Sequence, residues 1–490
     1  MLEKGQKVLI DITDMSDSGQ GIGRVDGLAV FVDGAVRGDR AEAEITKVKK
    51  RYAFAKMTSL QEPSDHRVEP ACPYFPDCGG CGLGALDYDG QLALKEDQIR
   101  QKLIRLGGIE DPDLEPIISM DSDAPEGPSG FRNKAVLSVS TGGIVTEKGG
   151  IVRPAGRPRV GFMPRRSGNV VDCSECLVQT RAVMAAANAL RRFMSEEDIP
   201  AWDPKQKKGL IRNMIVKTAF RTGEVMVIPV INGKTIPAVE KLVEYLDEGI
   251  YEAGYSLESV VLNINREKDG PVMGDKCITI AGKGTILERA GDLSFEISAK
   301  SFYQTNPEQM ERLYDKVSEY AELSGSETVL DIYCGTGTIG LWLADKADFV
   351  IGIESEKQAV LDANRNAVIN GITNAAYICG RAEDVLPEAI GNGPGEDDPH
   401  DFSVQLRERM RHADVALIDP PRAGCDPALL DAVADSTVRR IVYVSCDPAT
   451  LARDIKVMTG KGFEFIKAAP VDMFPRSTHV ECVALMSKDR

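Results

Sequence analysis

No apolar run in this 490-residue chain approaches the roughly 20 residues that a bilayer crossing needs, which excludes a helical membrane span. The opening MLEKGQKVLIDITD carries no apolar signal core, so the expected location is the cytoplasm. No internal repeat is visible, which sets aside solenoids and propellers. Net positive charge is also missing: 59 Lys and Arg face 75 Asp and Glu, a formal charge of −16. That balance argues weakly against nucleic-acid binding, but local basic patches make phosphate contacts whatever the total. Two segments carry basic residues and no acid. KVKKRYAFAK (47–56) has five, and RPAGRPRVGFMPRR (153–166) has five arginines. Eleven cysteines without a secretion signal do not suggest disulfides; in a reducing compartment they suggest metal binding, catalysis or burial. Cys72, Cys78 and Cys81 cluster, Cys173 and Cys176 sit close together, and six are scattered.

What is present divides into three stretches, in keeping with the two to four domains the length suggests. Residues 1–60 hold short segments rich in Val, Ile and Thr, namely VLIDIT, GLAVFV, DRAEAEITKVKK and YAFAKMTSL, with turns such as SDSGQGIGR between them. Five such strands fit an OB-like β-barrel, whose faces often bind single-stranded nucleic acid. Residues 61–290 form a central α/β domain with the cysteine cluster. Residues 87–107 predict an amphipathic helix with Leu92, Ile99, Leu103 and Leu106 at helical spacing. A second helix falls near 179–196, and AVLSVS, MIVKTAF, GEVMVIPVI and SVVLNIN read as strands. Residues 291–490 carry a helix at 307–321 and then alternate strand and helix, the signature of a Rossmann-like parallel sheet. GNGPGEDDPHDFSVQLRERMRH (391–412) interrupts that alternation and reads as a surface insertion.

Four motifs carry chemistry. VLDIYCGTGTIG (329–340) runs a strand into a glycine-rich turn and a helix, where open α/β sheets bind ligands. Its DxxCGTG form departs from the nicotinamide GxGxxG and matches what an S-adenosylmethionine fold requires. Glu354 ends the next strand, where an acid binds ribose hydroxyls, and Asp384 in GRAED is a candidate for the adenine end. VALIDPPRAGC (415–425) places Asp419 and Pro420 at a strand end, a rigid loop suited to holding a flipped base, with Arg422 a candidate for phosphate or base. VYVSCDPATLARD (442–454) sets Cys446 between a strand and a helix N-terminus, where a thiolate is stabilised. FPRSTHVECVALMSK (474–488) alternates His479 and Glu481 on a final strand, with Glu481 a candidate general base. A cysteine and a base fit methylation at C5 of uracil, where thiol addition to C6 makes C5 nucleophilic.

With CPYFPDCGGC (72–81), FRNK (131–134), SFYQTN (301–306), DIYCGTG, IDPPR, YVSCDP and HVEC in that order, the chain resembles the bacterial RNA (uracil-5-)-methyltransferases that carry an N-terminal TRAM domain and an iron–sulfur cluster. The resemblance spans essentially the whole length. It implies that Cys446 is the nucleophile and Glu481 the proton-accepting base, and that Gln304, Tyr333, Glu354 and Asp419 surround S-adenosylmethionine and the target base. It implies that Phe302 stacks on a base and that the helix at 87–107 packs on the methyltransferase domain. It also implies a [4Fe–4S] cluster on Cys72, Cys78, Cys81 and Cys176; zinc would accept the same four thiolates. After GGC the family has a segment like CQLQH, whereas this chain reads CGLGALDY. The implied partner is RNA, with 23S ribosomal RNA favoured over tRNA and no obligate protein partner. One rival is an RNA cytosine-5 methyltransferase, which places a second cysteine in a proline loop like DAPCSG; here the loop is DPPRAGC and Cys425 lies later. A non-catalytic RNA-binding module is another, but it would need neither Cys446 nor Glu481.

Overall fold

The computed structural model describes residues 2–125, 127–146, 152–164, 169–391 and 403–488. Strands β1 (Lys7–Met15), β2 (Gly21–Val25), β3 (Leu28–Asp33), β4 (Arg40–Val48) and β5 (Tyr52–Glu62) close into a barrel in the order β1-β2-β3-β5-β4. Alternation puts Val8, Ile10, Ile12, Val30, Val32, Ile45 and Ala53 inside, a core of the barrel's own. GIGRV, which reads as turn in the sequence, is strand β2. A Cβ on Gly23 would lie 2.4 Å from the Asp11 carbonyl oxygen, so glycine is needed there for strand contact and not for a turn.

After the cysteine loop comes α1 (Tyr88–Lys102), capped by Asp87 and continued by one π-helical turn, Leu103–Gly107. Its inward face is Gln91, Leu94, Lys95, Ile99 and Leu103, whereas Leu106 is exposed and Leu92 only partly covered. The expected apolar stripe is therefore rotated, and it includes two polar residues whose partners are described below.

The central sheet runs β10-β9-β6-β11-β12-β13-β14, built from β6 (Lys134–Ser140), β9 (Arg159–Phe162), β10 (Val171–Asp172), β11 (Ile211–Thr218), β12 (Glu224–Ile231), β13 (Ser256–Ile264) and β14 (Lys276–Gly282). A small ribbon, β7 (Ile144–Thr146) with β8 (Val152–Pro154), flanks it. Helices α2 (Arg181–Glu196) and α3 (Val239–Glu252) cover one face. The hairpin β15 (Thr285–Ala290) and β16 (Leu293–Ser298) straddles position 291, and its residues join those of α4 (Pro307–Ala321) in one apolar cluster.

The C-terminal sheet has the order β19-β18-β17-β20-β21-β23-β22. Its strands are β17 (Thr328–Ile332), β18 (Phe349–Glu354), β19 (Ala375–Cys379), β20 (Val415–Ile418), β21 (Arg440–Ser445), β22 (Glu464–Val471) and β23 (Glu481–Ser487); only β23 runs antiparallel to its neighbours. Helices α5 (Thr338–Leu343), α6 (Lys357–Ile369), α7 (Ala382–Ile390), α8 (Val404–Arg411), α9 (Pro427–Asp435) and α10 (Pro448–Thr459) surround it. The strand order reverses beside β17, which opens a ligand crevice at the strands' carboxyl ends. Part of the stretch read as a surface insertion is α8, with Arg407 and Met410 buried against the fold; 392–402 lie outside the described residues.

Candidate active site

The turn after β17 is shaped by backbone conformation. Tyr333, Gly335 and Gly337 take φ of 63°, 55° and 76°, and a Cβ on Gly337 would stand 2.6 Å from the Tyr377 hydroxyl. Two carboxylates hold the turn. Asp331 accepts from Gly340 N at 3.0 Å and Glu354 accepts from Gly335 N at 3.1 Å. Burial pushes Asp331 up to about 7, against the pull of the Gly340 amide. Over this turn lies the loop 301–306, which belongs to no helix or strand. Asn133 Nδ2 donates to Gln304 O at 2.9 Å, and Thr336 Oγ1 donates to Phe302 O at 3.3 Å. Gln304 is buried there and Phe302 is 57% exposed. A close backbone cradle beside a strand-end acid fits a nucleoside with a ribose diol.

Asp384 is not part of that group. Its side chain is 64% exposed and faces Arg381 one turn back. The neighbouring Glu383 is 15% exposed, and its charge, with that of Asp426, reaches Tyr333. Adjacent helical residues point about 100° apart, so the two acids face different surroundings.

Cys446 follows β21 and is half-buried. The expectation of a lowered thiol pKa is not met. Burial first, then the charge of Glu481, push the thiol up to about 11, with Arg422 pulling the other way. The helix N-terminus adds little because Asp447 occupies it, accepting from Ala449 N at 2.9 Å and Thr450 N at 3.1 Å. Glu481, first residue of β23, is 5% exposed, and burial followed by repulsion from Asp419 raises it to about 8. Asp419 itself is raised to about 7 by burial and by Asp331. Cys446, Glu481, Asp419 and Arg422 thus share one electrostatic neighbourhood at the carboxyl ends of β20 and β21. His479 does not alternate with Glu481 on the strand; it precedes β23, is exposed, and packs edge-on to Phe474 at 6.2 Å. Cys425 is elsewhere: it is buried, its thiol donates to the Tyr443 hydroxyl at 3.5 Å, and burial raises it to about 12.

The sequence gives no hint of how the segment before β23 is held. Asp472 and Lys95 of α1 form an ion pair in which neither side chain is exposed; the Tyr88 hydroxyl donates to the same carboxylate at 2.8 Å. Lys95 Nζ also donates to Phe474 O at 3.0 Å, and Arg476 N donates to Gln91 Oε1 at 2.7 Å. These contacts explain why Gln91 and Lys95 face inward.

Cys72, Cys78, Cys81, Cys173 and Cys176 line one cavity of about 220 Å³, together with Arg132 and Arg476. Among the described residues no three potential ligands already stand at metal-binding distances. The donor chemistry nonetheless fits a cationic group: burial, then the nearby Cys176, Cys78 and Cys72, push the Cys81 thiol up to about 12, a repulsion that a metal would relieve. Burial lowers Arg132, while Cys176 and Cys81 oppose that. Cys173 sits deeper, its thiol donating to Val171 O at 3.4 Å.

A groove of about 850 Å³ lies between this loop, the barrel and the segment before β23, lined by Asp17, Gln20, Lys56, Phe75, Ser477 and His479 among others. On the barrel, Phe31, Tyr52 and Phe54 form a cluster with ring centroids 5.4 to 5.7 Å apart, and Tyr52 and Phe54 belong to the basic segment 47–56. Arg165 and Arg166 of the second basic segment lie outside the described residues. No helix of the described residues is long and apolar enough to cross a membrane.

Comparison with known proteins agrees with this geometry. The family model described as tRNA (uracil-5-)-methyltransferase matches residues 284–489, and the TRAM domain model matches residues 2–58. An uncharacterized RNA methyltransferase of Caldanaerobacter subterraneus subsp. tengcongensis is 41% identical over 485 residues, covering 99% of this chain and 98% of its own. A protein of the same description from Clostridium tetani is 37% identical over 99% of this chain and 97% of its own. Among solved structures, the Pyrococcus abyssi tRNA (uracil-54, C5)-methyltransferase in complex with S-adenosyl-L-homocysteine matches with a TM-score of 0.71 and 28% identity, covering 98% of this chain and 99% of that one.

Proposed function

We infer the mechanism from one premise: the chain belongs to the RNA (uracil-5-)-methyltransferase family, as a TRAM-bearing member that methylates uracil C5 in RNA with S-adenosylmethionine. Cys446 is the nucleophile. Its Sγ adds to C6 of uracil as thiolate, and the C5–C6 π pair moves toward C5 and the O4 carbonyl. S-adenosylmethionine, when bound, supplies an electrophilic methyl group that C5 takes up. In its carboxylate form Glu481 then accepts the C5 proton, the C5–C6 double bond re-forms, and the thiolate leaves C6. Arg422 offers positive charge to the carbonyl that becomes enolate-like. Gln304, Tyr333 and Glu354 hold the methyl donor, with Glu354 on the ribose hydroxyls and Asp384 toward the adenine, where Glu383 offers a second carboxylate. Asp419 faces the target base and Phe302 stacks on an RNA base. The observation that carries this reading is the shared neighbourhood of Cys446, Glu481, Asp419 and Arg422 beside the glycine-rich turn.

Cys72, Cys78, Cys81 and Cys176 are the proposed ligands of a [4Fe–4S] cluster, with zinc the rival. The methylation steps move no electron through it, so its assigned work is bracing the central domain. Iron and acid-labile sulfide at about four each per chain, after purification without oxygen, support the cluster; stoichiometric zinc replaces it.

The favoured substrate is 23S ribosomal RNA. A tRNA target is the second reading, because the Pyrococcus abyssi relative with the same architecture acts on uracil-54 of tRNA. Incubation with S-adenosylmethionine and unmodified ribosomal and transfer RNA, followed by mass mapping of nucleosides, separates the two. 5-Methyluridine at defined ribosomal positions supports the first reading, product in tRNA alone selects the second, and 5-methylcytidine overturns both.

A further inference from the structure

Arg476 lies in the segment between β22 and β23, five residues before Glu481. It is 3% exposed and adopts a φ of 65°, a conformation that costs a non-glycine residue energy and persists only where the surroundings enforce it. The surroundings come from three directions. Its carbonyl accepts from Gly82 N at 2.8 Å and Leu83 N at 2.9 Å, the two amides that directly follow Cys81. Its own N–H donates to Gln91 of α1. Its guanidinium reaches the segment that leads into Arg132, donating to Gly127 O at 2.8 Å, Pro128 O at 3.2 Å and Ser129 Oγ at 3.2 Å. Two residues on, Thr478 Oγ1 donates to Asp17 O of the barrel at 2.6 Å. The stretch itself forms no helix or strand, so these bonds set where β23 begins and hence where the Glu481 carboxylate stands.

We propose that Arg476 is a positioning residue that couples the cysteine-rich loop to Glu481, so that the geometry of proton removal depends on how that loop is folded. The inference rests on the reading of Glu481 as the base. Methyl transfer precedes proton removal, so a displaced Glu481 slows only the second half of the reaction. Arg476→Gly is the informative variant: it suits the positive φ and keeps the carbonyl that Gly82 and Leu83 use, but releases the 127–129 segment. The expected result is a methylated protein–RNA adduct that survives denaturing electrophoresis, resolved roughly 100-fold more slowly than in the parent, the scale of loss from small misplacements. Adenosylhomocysteine affinity stays near the parent's, and Arg476→Lys restores part of the resolution rate. Cys81→Ser, acting from the other end of the link, accumulates the same adduct, and the double variant adds little to either single change. The coupling is overturned if either single variant resolves the adduct at the parent rate, or if Arg476→Gly loses adenosylhomocysteine binding together with adduct formation. Glu481→Gln separates the two readings. If it fails to trap an adduct, the base assignment falls and this inference with it; if it traps one while Arg476→Gly does not, only the coupling falls.

Discussion

Asp447 shows how one residue changes the chemistry of its neighbour. By accepting from two first-turn amides it consumes the field that would otherwise act on Cys446, so burial and Glu481 decide the thiol's state. Replacing Cys446 by Ala is expected to abolish 5-methyluridine formation while leaving adenosylhomocysteine and RNA binding intact, as read by calorimetry and filter binding. Replacing Glu481 by Gln has a second consequence, on stability. The folded carboxyl keeps its proton up to about 8 whereas the unfolded chain releases it near the ordinary 4.5. Its contribution to folding is therefore complete below that lower value and lost as pH rises through the upper one. Gln suffers no such loss, so the variant gains on the order of 2 kcal/mol over the parent in alkaline buffer and little in acid, measured by thermal unfolding across pH. The positions of Cys446, Glu354 and Asp419 were legible in the sequence because an alternating α/β pattern locates strand ends, and the structure places all three there. The different exposure of Glu383 and Asp384 was not, since a one-residue phase on a helix needs the helix placed against its neighbours.

Among the elements, α1 departs most from its sequence reading. Spacing alone located the helix and its buried Ile99 and Leu103, but counting only apolar residues included the exposed Leu106 and missed Gln91 and Lys95. Gln91 and Lys95 face inward because they satisfy the main chain and Asp472 of a segment nearly four hundred residues later. Burial pushes the Lys95 ammonium down while Asp472 opposes it. Lys95→Ala leaves the carboxylate buried without its cation, and a loss of about 3–5 kcal/mol is expected in chemical unfolding. Adding Asp472→Asn to that variant should recover part of it, because the uncompensated charge is then gone. Strand β2 was hidden for the opposite reason: its glycines, required by close strand contact, carry the composition of a turn.

At the scale of the molecule, the barrel and the rest differ in independence. The barrel encloses its own apolar cluster, while Ile215, Met226, Ile228 and Val261 of the central sheet pack in the same cluster as Val329, Leu417 and Val442 of the C-terminal sheet. A fragment beginning at 291 would expose that shared surface, which is why a boundary read from composition does not mark a separable unit. Removing residues 1–62 is expected to leave adenosylhomocysteine affinity near the parent's and to weaken RNA binding about tenfold or more, with a shallower salt dependence as the five basic residues of 47–56 are lost. Filter binding at several salt concentrations checks this. A net charge of −16 gave no sign of such a surface, because charge summed over a chain conceals where it is placed.

The environment of Cys446 also bears on how it meets alkylating reagents. Burial and the charge of Glu481 favour the thiol over the thiolate, the form that soft electrophiles attack. Iodoacetamide is therefore expected to label the half-buried Cys446 more slowly than the exposed Cys277 and Cys379, as read by peptide mass mapping.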